Sequence, residues 1–358
     1  MATKQYQGFL EVDGTLYLDQ YWPTAFHQPN KTSLGSDPDT VKIKVDPTSF
    51  VFTGANGKKK TTSVFIGAYV RAAKRTLKSG EVKYTPDTVI SKAGQMTIRI
   101  QGVDSPELHF STATKGLSKL DYRQHQGENA TVALAKALND LVGPGGSRKL
   151  RCRFFSWVDK PSDVCDSNGR FIGDVRILEA GGAFVIGQWL LEKGWAIPSI
   201  YTSMTLPELD AALASYNSGK AGKGLKTSLS SKLGAFDPGL IIRDGGKKDS
   251  GKFIHPKLYR RQARLYDQLG RNRQFSVQEY LDYLKGTQTK GGNQDIVFPL
   301  KPWRAYLASK TKTAKPKGMG ISTLITSAGA IKLDPRAYVF EEAASTLKDS
   351  KGKKITTW

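Results

Sequence analysis

The 358-residue sequence predicts an α+β fold in two parts, a small β-barrel with helices packed on it and a basic, mainly helical C-terminal region. Two patterns indicate the first part: short runs of alternating apolar and polar residues recur through residues 1–225, and segments of helical periodicity lie among them. Between residues 226 and 252 the composition changes to Gly, Ser and Lys, which is typical of a linker. We therefore expect one domain at 1–225 and a second at 253–358.

The first part contains the patterns of several strands and of three helices. Strands are predicted as a hairpin around Asp13-Gly14 within 5–22, at 41–45, at 96–102, at 149–157 and from Phe171 onward. Helices are predicted at 128–142, 183–193 and 206–217. Residues 46–95 carry Gly-Lys-rich turns and short apolar runs, which predict a strand-rich insertion. A five-stranded Greek-key barrel of the OB type with three packed helices fits this count, and such barrels commonly bind oligonucleotides.

The charge balance narrows the class of partner. The chain has 54 Lys and Arg against 32 Asp and Glu, a formal net charge of +22. A field of this size attracts polyanions, so nucleic acid or an anionic membrane surface is the expected partner. No stretch approaches the ~18 apolar residues of a membrane span. The first residues also lack the apolar core of a signal peptide, which predicts a cytoplasmic protein. Cys152 and Cys165 are expected to be buried or unpaired thiols rather than a disulfide framework.

The C-terminal region carries more than half of the excess charge. Residues 251–358 contain 21 basic and 8 acidic residues, a net charge of +13. A helix predicted at 256–269 presents Arg260, Arg261 and Arg264 beside Leu and Tyr side chains. Two interpretations of this helix are open: a surface that contacts successive phosphates, or an amphipathic helix with a solvated basic face. Ser276 and Glu279 form a capping-box pattern that predicts another helix.

Three short motifs contain the residues with chemical potential. They are Asp37-Pro38-Asp39-Thr40 at a strand start, Arg99-x4-Asp104-Ser105-Pro106-Glu107 at a strand end, and Gly169-Arg170 after a turn. Acids and arginines near one another are most often a surface ion-pair cluster. Three motifs in this order on matching elements instead favour a site, and they resemble the D-G-D-T, R-x4-D-T-P-E and D-K-Y-G-R motifs of the staphylococcal nuclease-like (thermonuclease) family, over about residues 8–225.

The resemblance implies a Ca²⁺-dependent nuclease that hydrolyses the phosphodiester bonds of DNA, with RNA as a second candidate substrate. Asp39, Asp104 and the carbonyl of Ser105 would be the metal ligands, because a hard cation prefers oxygen donors. Glu107 would be the general base. Arg99 and Arg170 would stabilise the phosphate, since guanidinium stays protonated and can donate two parallel hydrogen bonds. The expected products carry 3′-phosphate and 5′-hydroxyl ends.

The sequence also departs from the family pattern. Pro38 replaces a glycine and fixes φ in the metal loop, and Ser167-Asn168 replaces Lys-Tyr before Gly-Arg. Asp37 is expected as a further acid beside the metal ligands or only as a turn former, and Thr40 is a second candidate for a position beside the ligands. Tyr201 lies one residue out of register with the tyrosines that contact the nucleotide in the family, so it either contacts a base or packs in the core or at its rim.

Two further expectations concern the histidines and the alternative to an enzyme. The four histidines, His27, His109, His125 and His255, form no motif, and none is expected to be a metal ligand. The alternative to an enzyme is a catalytically inactive nucleic-acid-binding scaffold on the same barrel. The presence of an intact set argues against it, namely Glu107, Arg99, Arg170, Asp39 and Asp104.

Overall fold

The computed structural model describes residues 8–21, 35–76, 82–112, 121–143, 146–179, 184–219, 228–234, 236, 251–289, 295–309, 314–342 and 345–358. Its strands are β1 (Gly8–Tyr17), β2 (Thr40–Val45), β3 (Phe50–Gly54), β4 (Lys59–Thr62), β5 (Tyr69–Thr76), β6 (Val82–Thr88), β7 (Gln95–Ile100), β8 (Val103–Asp104), β9 (Phe110–Ser111), β10 (Asp121–Tyr122), β11 (Lys149–Val158), β12 (Phe171–Ile177), β13 (Phe184–Val185), β14 (Ile197–Pro198), β15 (Ile200–Tyr201), β16 (Ile296–Pro299), β17 (Met319–Gly320) and β18 (Tyr338–Phe340). Its helices are α1 (Gly127–Val142), α2 (Ile186–Glu192), α3 (Leu206–Ser218), α4 (Pro256–Gln268), α5 (Val277–Thr289) and α6 (Leu300–Ala308).

Five strands close into a mixed barrel. β1 pairs with β2 and β11, β2 pairs with β7, and β12 joins β7 to β11. The β7–β12 pair is parallel and the other four are antiparallel. This confirms the α+β class and the five-stranded barrel, and the strand order is compatible with an OB-fold. Alternate side chains along each strand point into the barrel, and the inward-pointing Leu10, Ile98 and Phe171 are fully buried.

The predicted hairpin at Asp13-Gly14 is wrong, because β1 continues through these residues as one strand. Gly14 pairs with Cys152 on one side and with Val45 on the other. A Cβ atom at this position would lie 2.8 Å from the carbonyl oxygen of Lys44. The glycine is therefore required for the close approach of β2 rather than for a turn.

Two predicted boundaries also shift. The central strand ends at Ile100 instead of continuing to Gly102, which has a φ of +77° and belongs to the turn before β8. The second helix begins at Ile186 rather than at residue 183, because Val185 still has an extended backbone. The helices predicted at 128–142 and 206–217 are confirmed as α1 and α3.

The insertion at 46–95 is strand-rich, as predicted. β3 pairs with both β1 and β4, so it extends the barrel sheet along one side of β1. β5 and β6 form a separate antiparallel ribbon.

The C-terminal region is mainly helical, as predicted, and contains α4, α5 and α6. It also contains the short strands β16, β17 and β18. It contacts the barrel part directly, because Ile200 and Tyr201 pair in parallel with Val339 and Phe340. A second apolar core combines residues of both parts, including Ile200, Leu209 and Leu258.

Three further expectations concern the linker, the two cysteines and membrane-spanning helices. Of the predicted linker at 226–252, residues 228–234, 236, 251 and 252 lie within the described residues, and Ser230 donates a backbone hydrogen bond to Phe253. Cys152 and Cys165 are free and buried, as expected. Among the described residues, no helix is both long and apolar enough to cross a membrane.

Candidate functional site

A polar cleft of about 620 Å³ lies between the barrel and α4. Its lining includes Arg99 from β7, Arg170 from the turn before β12, Tyr201 from β15 and the basic face of α4. Parallel pairing of β7 with β12 explains why the two arginines share this cleft, because Arg99 pairs with Ile172, two residues after Arg170. The predicted phosphate-binding pair is therefore brought to one wall.

Hydrogen bonds between their loops bring the predicted acids together, and Arg260, which lines the cleft, contacts two of them. The Asp39 carboxylate accepts from the backbone N–H of Ser105 at 2.9 Å, and the Asp37 carboxylate accepts from that of Leu108 at 2.8 Å. Asp37 also forms the turn into β2, since its carbonyl accepts from the Thr40 N–H. Both interpretations of Asp37, further acid and turn former, thus describe its observed contacts.

Thr40 and Pro38 can be placed in the same loop. The hydroxyl of Thr40 lies 3.4 Å from the Asp39 carboxylate. Pro38 is buried beside these residues and does not separate the two loops, because Asp39 still reaches Ser105.

Glu107 is positioned by Gln124, a residue that the sequence did not indicate. The Glu107 N–H donates to the Gln124 side-chain oxygen at 3.0 Å, and the Gln124 N–H donates to the Glu107 carbonyl at 2.8 Å. Burial raises the pKa of Glu107 to about 8, although Arg260 acts in the opposite direction. A carboxyl group with such a pKa is suited to proton transfer near neutral pH.

The other acids differ in their electrostatics. Burial, together with Asp39, raises the pKa of Asp37 to about 7, and burial, together with Asp104, raises the pKa of Asp39. Burial alone would raise the pKa of Asp104 too, but Arg260, with Lys257 and Arg99, holds it below its ordinary value. Asp104 is therefore the carboxylate most strongly stabilised in its charged form.

Arg260 of α4 contacts the acidic cluster, which consists of Asp37, Asp39, Asp104 and Glu107. Its guanidinium donates to the carboxylate of Glu107 and lies 3.4 and 3.5 Å from the two carboxylate oxygens of Asp104. His255, at the N-cap of α4, lies 3.9 Å from Asp104 through Nδ1. Burial lowers the pKa of His255 to about 4, and its Nδ1 accepts from the Lys257 N–H, so this side chain is neutral. The other two α4 arginines of the cleft make different contacts: Arg261 pairs with Asp295 at 2.5 Å, and Arg264 lies over the ring of Phe110.

Arg99 contacts Tyr201. Arg99 donates to the Tyr201 hydroxyl, and its guanidinium carbon lies 4.6 Å from the ring centroid. Lys257 lies 4.7 Å from the same centroid. Tyr201 is buried and lines the cleft, so it packs at the rim and supports a cation that the resemblance assigns to phosphate.

Arg170 is paired with Asp166, which lies four residues earlier. Its Nε donates to Asp166 at 2.9 Å, and its Nη2 lies 2.8 Å from the same oxygen. The other Asp166 oxygen accepts from the N–H groups of Asn168 and Arg170, which fixes the turn. Ser167 and Asn168 line the cleft beside this pair.

The chemistry of the donors allows a test of the implied Ca²⁺ site. Among the described residues, no three His, Cys, Asp or Glu side chains form a group that could hold a metal ion. Asp39 and Asp104 nevertheless lie close enough for the charge of Asp104 to act on Asp39. The adjacent Ser105 hydroxyl is buried and has no hydrogen-bond partner in the described structure. A hard cation prefers oxygen donors, and the carboxylates of Asp39 and Asp104 with the carbonyl of Ser105 are the groups that would hold it.

Several residues of the site were missed from the sequence. Asp166 could have been found as an acid at i, i+4 from Arg170 across a turn, but Gln124, His255 and Lys257 carry no local signal, since they come from other elements. Compared with known proteins, the sequence matches no family model, and no curated protein matches it either.

Proposed function

We propose that this protein hydrolyses phosphodiester bonds of nucleic acid in the cleft between the barrel and α4, as the staphylococcal nuclease-like resemblance implies. One observation supports the proposal: Arg99 and Arg170 line a cleft together with Arg260. The Arg260 guanidinium in turn contacts the buried carboxylates of Asp104 and Glu107. Two forked cations beside a buried carboxyl group are the parts that phosphate-ester hydrolysis requires.

We assign the roles that the resemblance implies. Glu107, once ionised, accepts a proton from the attacking water, and its raised pKa makes it a stronger base than an exposed glutamate. Arg99 and Arg170 donate hydrogen bonds to the phosphate oxygens as negative charge grows on them. The bond from phosphorus to the 5′-oxygen then breaks and this oxygen takes up a proton from solvent, which leaves a 3′-phosphate and a 5′-hydroxyl end. The chemistry that Ca²⁺ supplies when bound to Asp39 and Asp104 is neutralisation of phosphate charge.

Substrate affinity is proposed to come from the same cleft and from the net charge. Arg260, Arg261, Arg264 and Lys257 line it together with the two catalytic arginines. A formal charge of +22 adds attraction that does not depend on base sequence and that weakens with salt. DNA and RNA both carry the phosphate that these groups would recognise.

The decisive experiment incubates the full chain with plasmid DNA, single-stranded DNA and RNA, in Ca²⁺ or in EDTA. Cleavage by the wild type in Ca²⁺ is expected, with a loss of about 10²- to 10⁴-fold for Glu107→Gln and of about 10²- to 10³-fold for Arg99→Ala. Arg336→Ala is the matched control, because it removes one arginine that pairs with Asp334 and does not line the cleft.

Two outcomes would count against the proposal. Binding of labelled single-stranded DNA by the wild type with no cleavage under any metal condition would favour the inactive scaffold. Cleavage that survives both substitutions would place the active site elsewhere.

A further inference from the structure

Helix α4 presents a cationic face to the acidic cluster. Pro256 occupies its first turn and the His255 side chain accepts from the Lys257 N–H, so the N-terminus of the helix is fixed beside Asp104. Leu258 and Ala263 are fully buried in the second apolar core. The opposite face therefore points into the cleft and carries Arg260 on it.

Arg260 engages two carboxylates that the proposed reaction needs for other purposes. Its Nη1 donates to Glu107, and its two terminal nitrogens lie 3.4 and 3.5 Å from Asp104. Glu107 and Asp104 are almost fully buried, whereas the Arg260 side chain is about a quarter exposed, at 26%. The guanidinium thus covers the carboxylates from the cleft side.

This contact conflicts with both assigned roles. A carboxylate oxygen that accepts from a guanidinium presents less free electron density to a divalent cation, and two cations at one carboxylate repel each other. Glu107 likewise cannot accept a proton from water through an oxygen that is engaged with Arg260. Arg260 must therefore leave Asp104 and Glu107 before either residue performs its role.

The cleft provides the alternative partner. Arg260 lines it, so a phosphate group bound there would offer oxygen acceptors within reach of the same flexible side chain. Arg261 is less available, because it is paired with Asp295. Arg260 is the α4 arginine whose present partners are the proposed catalytic and metal-binding carboxylates.

We propose that Arg260 is a further active-site residue with two alternative partners: the Asp104 and Glu107 carboxylates in the free protein, and a nucleic-acid phosphate in the complex. The inference rests on the proposed function, which supplies the phosphate and the cation. Its consequence is positive coupling, because a bound strand withdraws Arg260 from the carboxylates and so strengthens Ca²⁺ binding.

The test measures Ca²⁺ binding to the full chain by isothermal titration calorimetry and does not depend on catalysis. Arg260→Gln is expected to bind Ca²⁺ about 10-fold more tightly than the wild type, without nucleic acid. Arg264→Gln is the matched control for this affinity: it removes the same charge from the same helix and cleft without touching either carboxylate, so a change within about 2-fold is expected. A short phosphorothioate-linked deoxynucleotide should tighten Ca²⁺ binding to the wild type about 10-fold and to Arg260→Gln much less.

Unchanged or weaker Ca²⁺ binding by Arg260→Gln would overturn the proposal and assign Arg260 to positioning the carboxylates. Equal tightening by both glutamine variants would also overturn it, in favour of net charge alone. Arg260→Lys provides a second variant if the first does not fold, since an ammonium group cannot span both carboxylates and should give an intermediate affinity. Tighter binding by Arg260→Gln in a chain that cleaves nothing would reject the proposed function and leave this inference standing. Cleavage without tighter binding would do the reverse.

Discussion

Arg99 of β7 donates a hydrogen bond to the hydroxyl of Tyr201 on β15, and its guanidinium lies against the same ring. Burial would raise the pKa of Tyr201, but Arg99 and Lys257 keep it below its ordinary value, which indicates how much positive charge surrounds the hydroxyl. In the free protein this contact satisfies a half-buried guanidinium that the proposed reaction directs to phosphate.

Tyr201→Phe is predicted to lower stability more than activity. The ring and its contact with Arg99 remain, but a hydrogen bond to a charged group is lost, at a cost of about 1.5–3 kcal/mol in the free energy of unfolding. Cleavage should stay within about 10-fold of the wild type, because Arg99 can still reach phosphate. Urea denaturation and initial cleavage rates measure the two effects. A loss of activity as large as that of Arg99→Ala would instead show that the hydroxyl holds Arg99 in its working position.

Asp166→Asn is predicted to strengthen nucleic-acid binding. The amide oxygen can still accept from the Asn168 and Arg170 N–H groups, but the ion pair with Arg170 is lost, and the guanidinium becomes available to phosphate. One more phosphate contact should steepen the plot of log affinity against log salt by about 0.7 for single-stranded DNA. Fluorescence anisotropy in EDTA measures this slope.

Asp334→Asn is the control for that measurement. Asp334 pairs with Arg336 through a closely similar two-bond contact, outside the cleft. An identical change of slope in both variants would show that the Arg170 contact has no special role.

Asp174→Asn is predicted to change how stability depends on pH. Burial raises the pKa of Asp174 to about 7, although its carboxylate accepts from the Val175 and Gly187 N–H groups. The folded chain therefore keeps a proton that the unfolded chain loses above about pH 4, so this group lowers the free energy of unfolding as pH rises from about 4 to 7, by up to about 1.4 kcal/mol per pH unit. Asparagine cannot ionise, so the stability of the variant relative to the wild type should rise over that window and then level off. Thermal melts from pH 4 to pH 8 measure this difference, and a difference that stays constant would contradict the prediction.

The sequence predicted the parts of the fold that depend on local periodicity. Alternation identified β2 and β11, and the capping box of Thr205 and Glu208 located α3, because these signals lie within the element itself. The hairpin at Asp13-Gly14 was wrong for the opposite reason. Gly14 is required by the approach of β2, and that contact cannot be seen in the residues around it.

The same distinction applies to the candidate site. Motif spacing identified Arg99, Glu107 and Arg170, but each of these side chains has a partner that spacing did not reveal: Tyr201, Arg260 and Asp166. Two of the three partners are distant in sequence and arrive through tertiary packing. Motifs therefore predicted which residues could act, whereas the contacts that restrain them in the free protein depend on the complete fold.

Phe171 connects the barrel core to the cleft, and its replacement should affect both. The ring is fully buried among Phe50, Phe65 and Phe154, and it pairs in register with Ile98 immediately after Arg170. Phe171→Ala should lower the free energy of unfolding by about 3–5 kcal/mol through the cavity it leaves. Because β7 and β12 pair at this point, loss of the ring should also loosen the register that places Arg99 and Arg170 on one wall. Cleavage should therefore fall even well below the melting temperature. Phe171→Leu, which keeps most of the volume, should retain more of both properties. Full activity of a folded but destabilised Phe171→Ala variant would show that the register is set without this core contact.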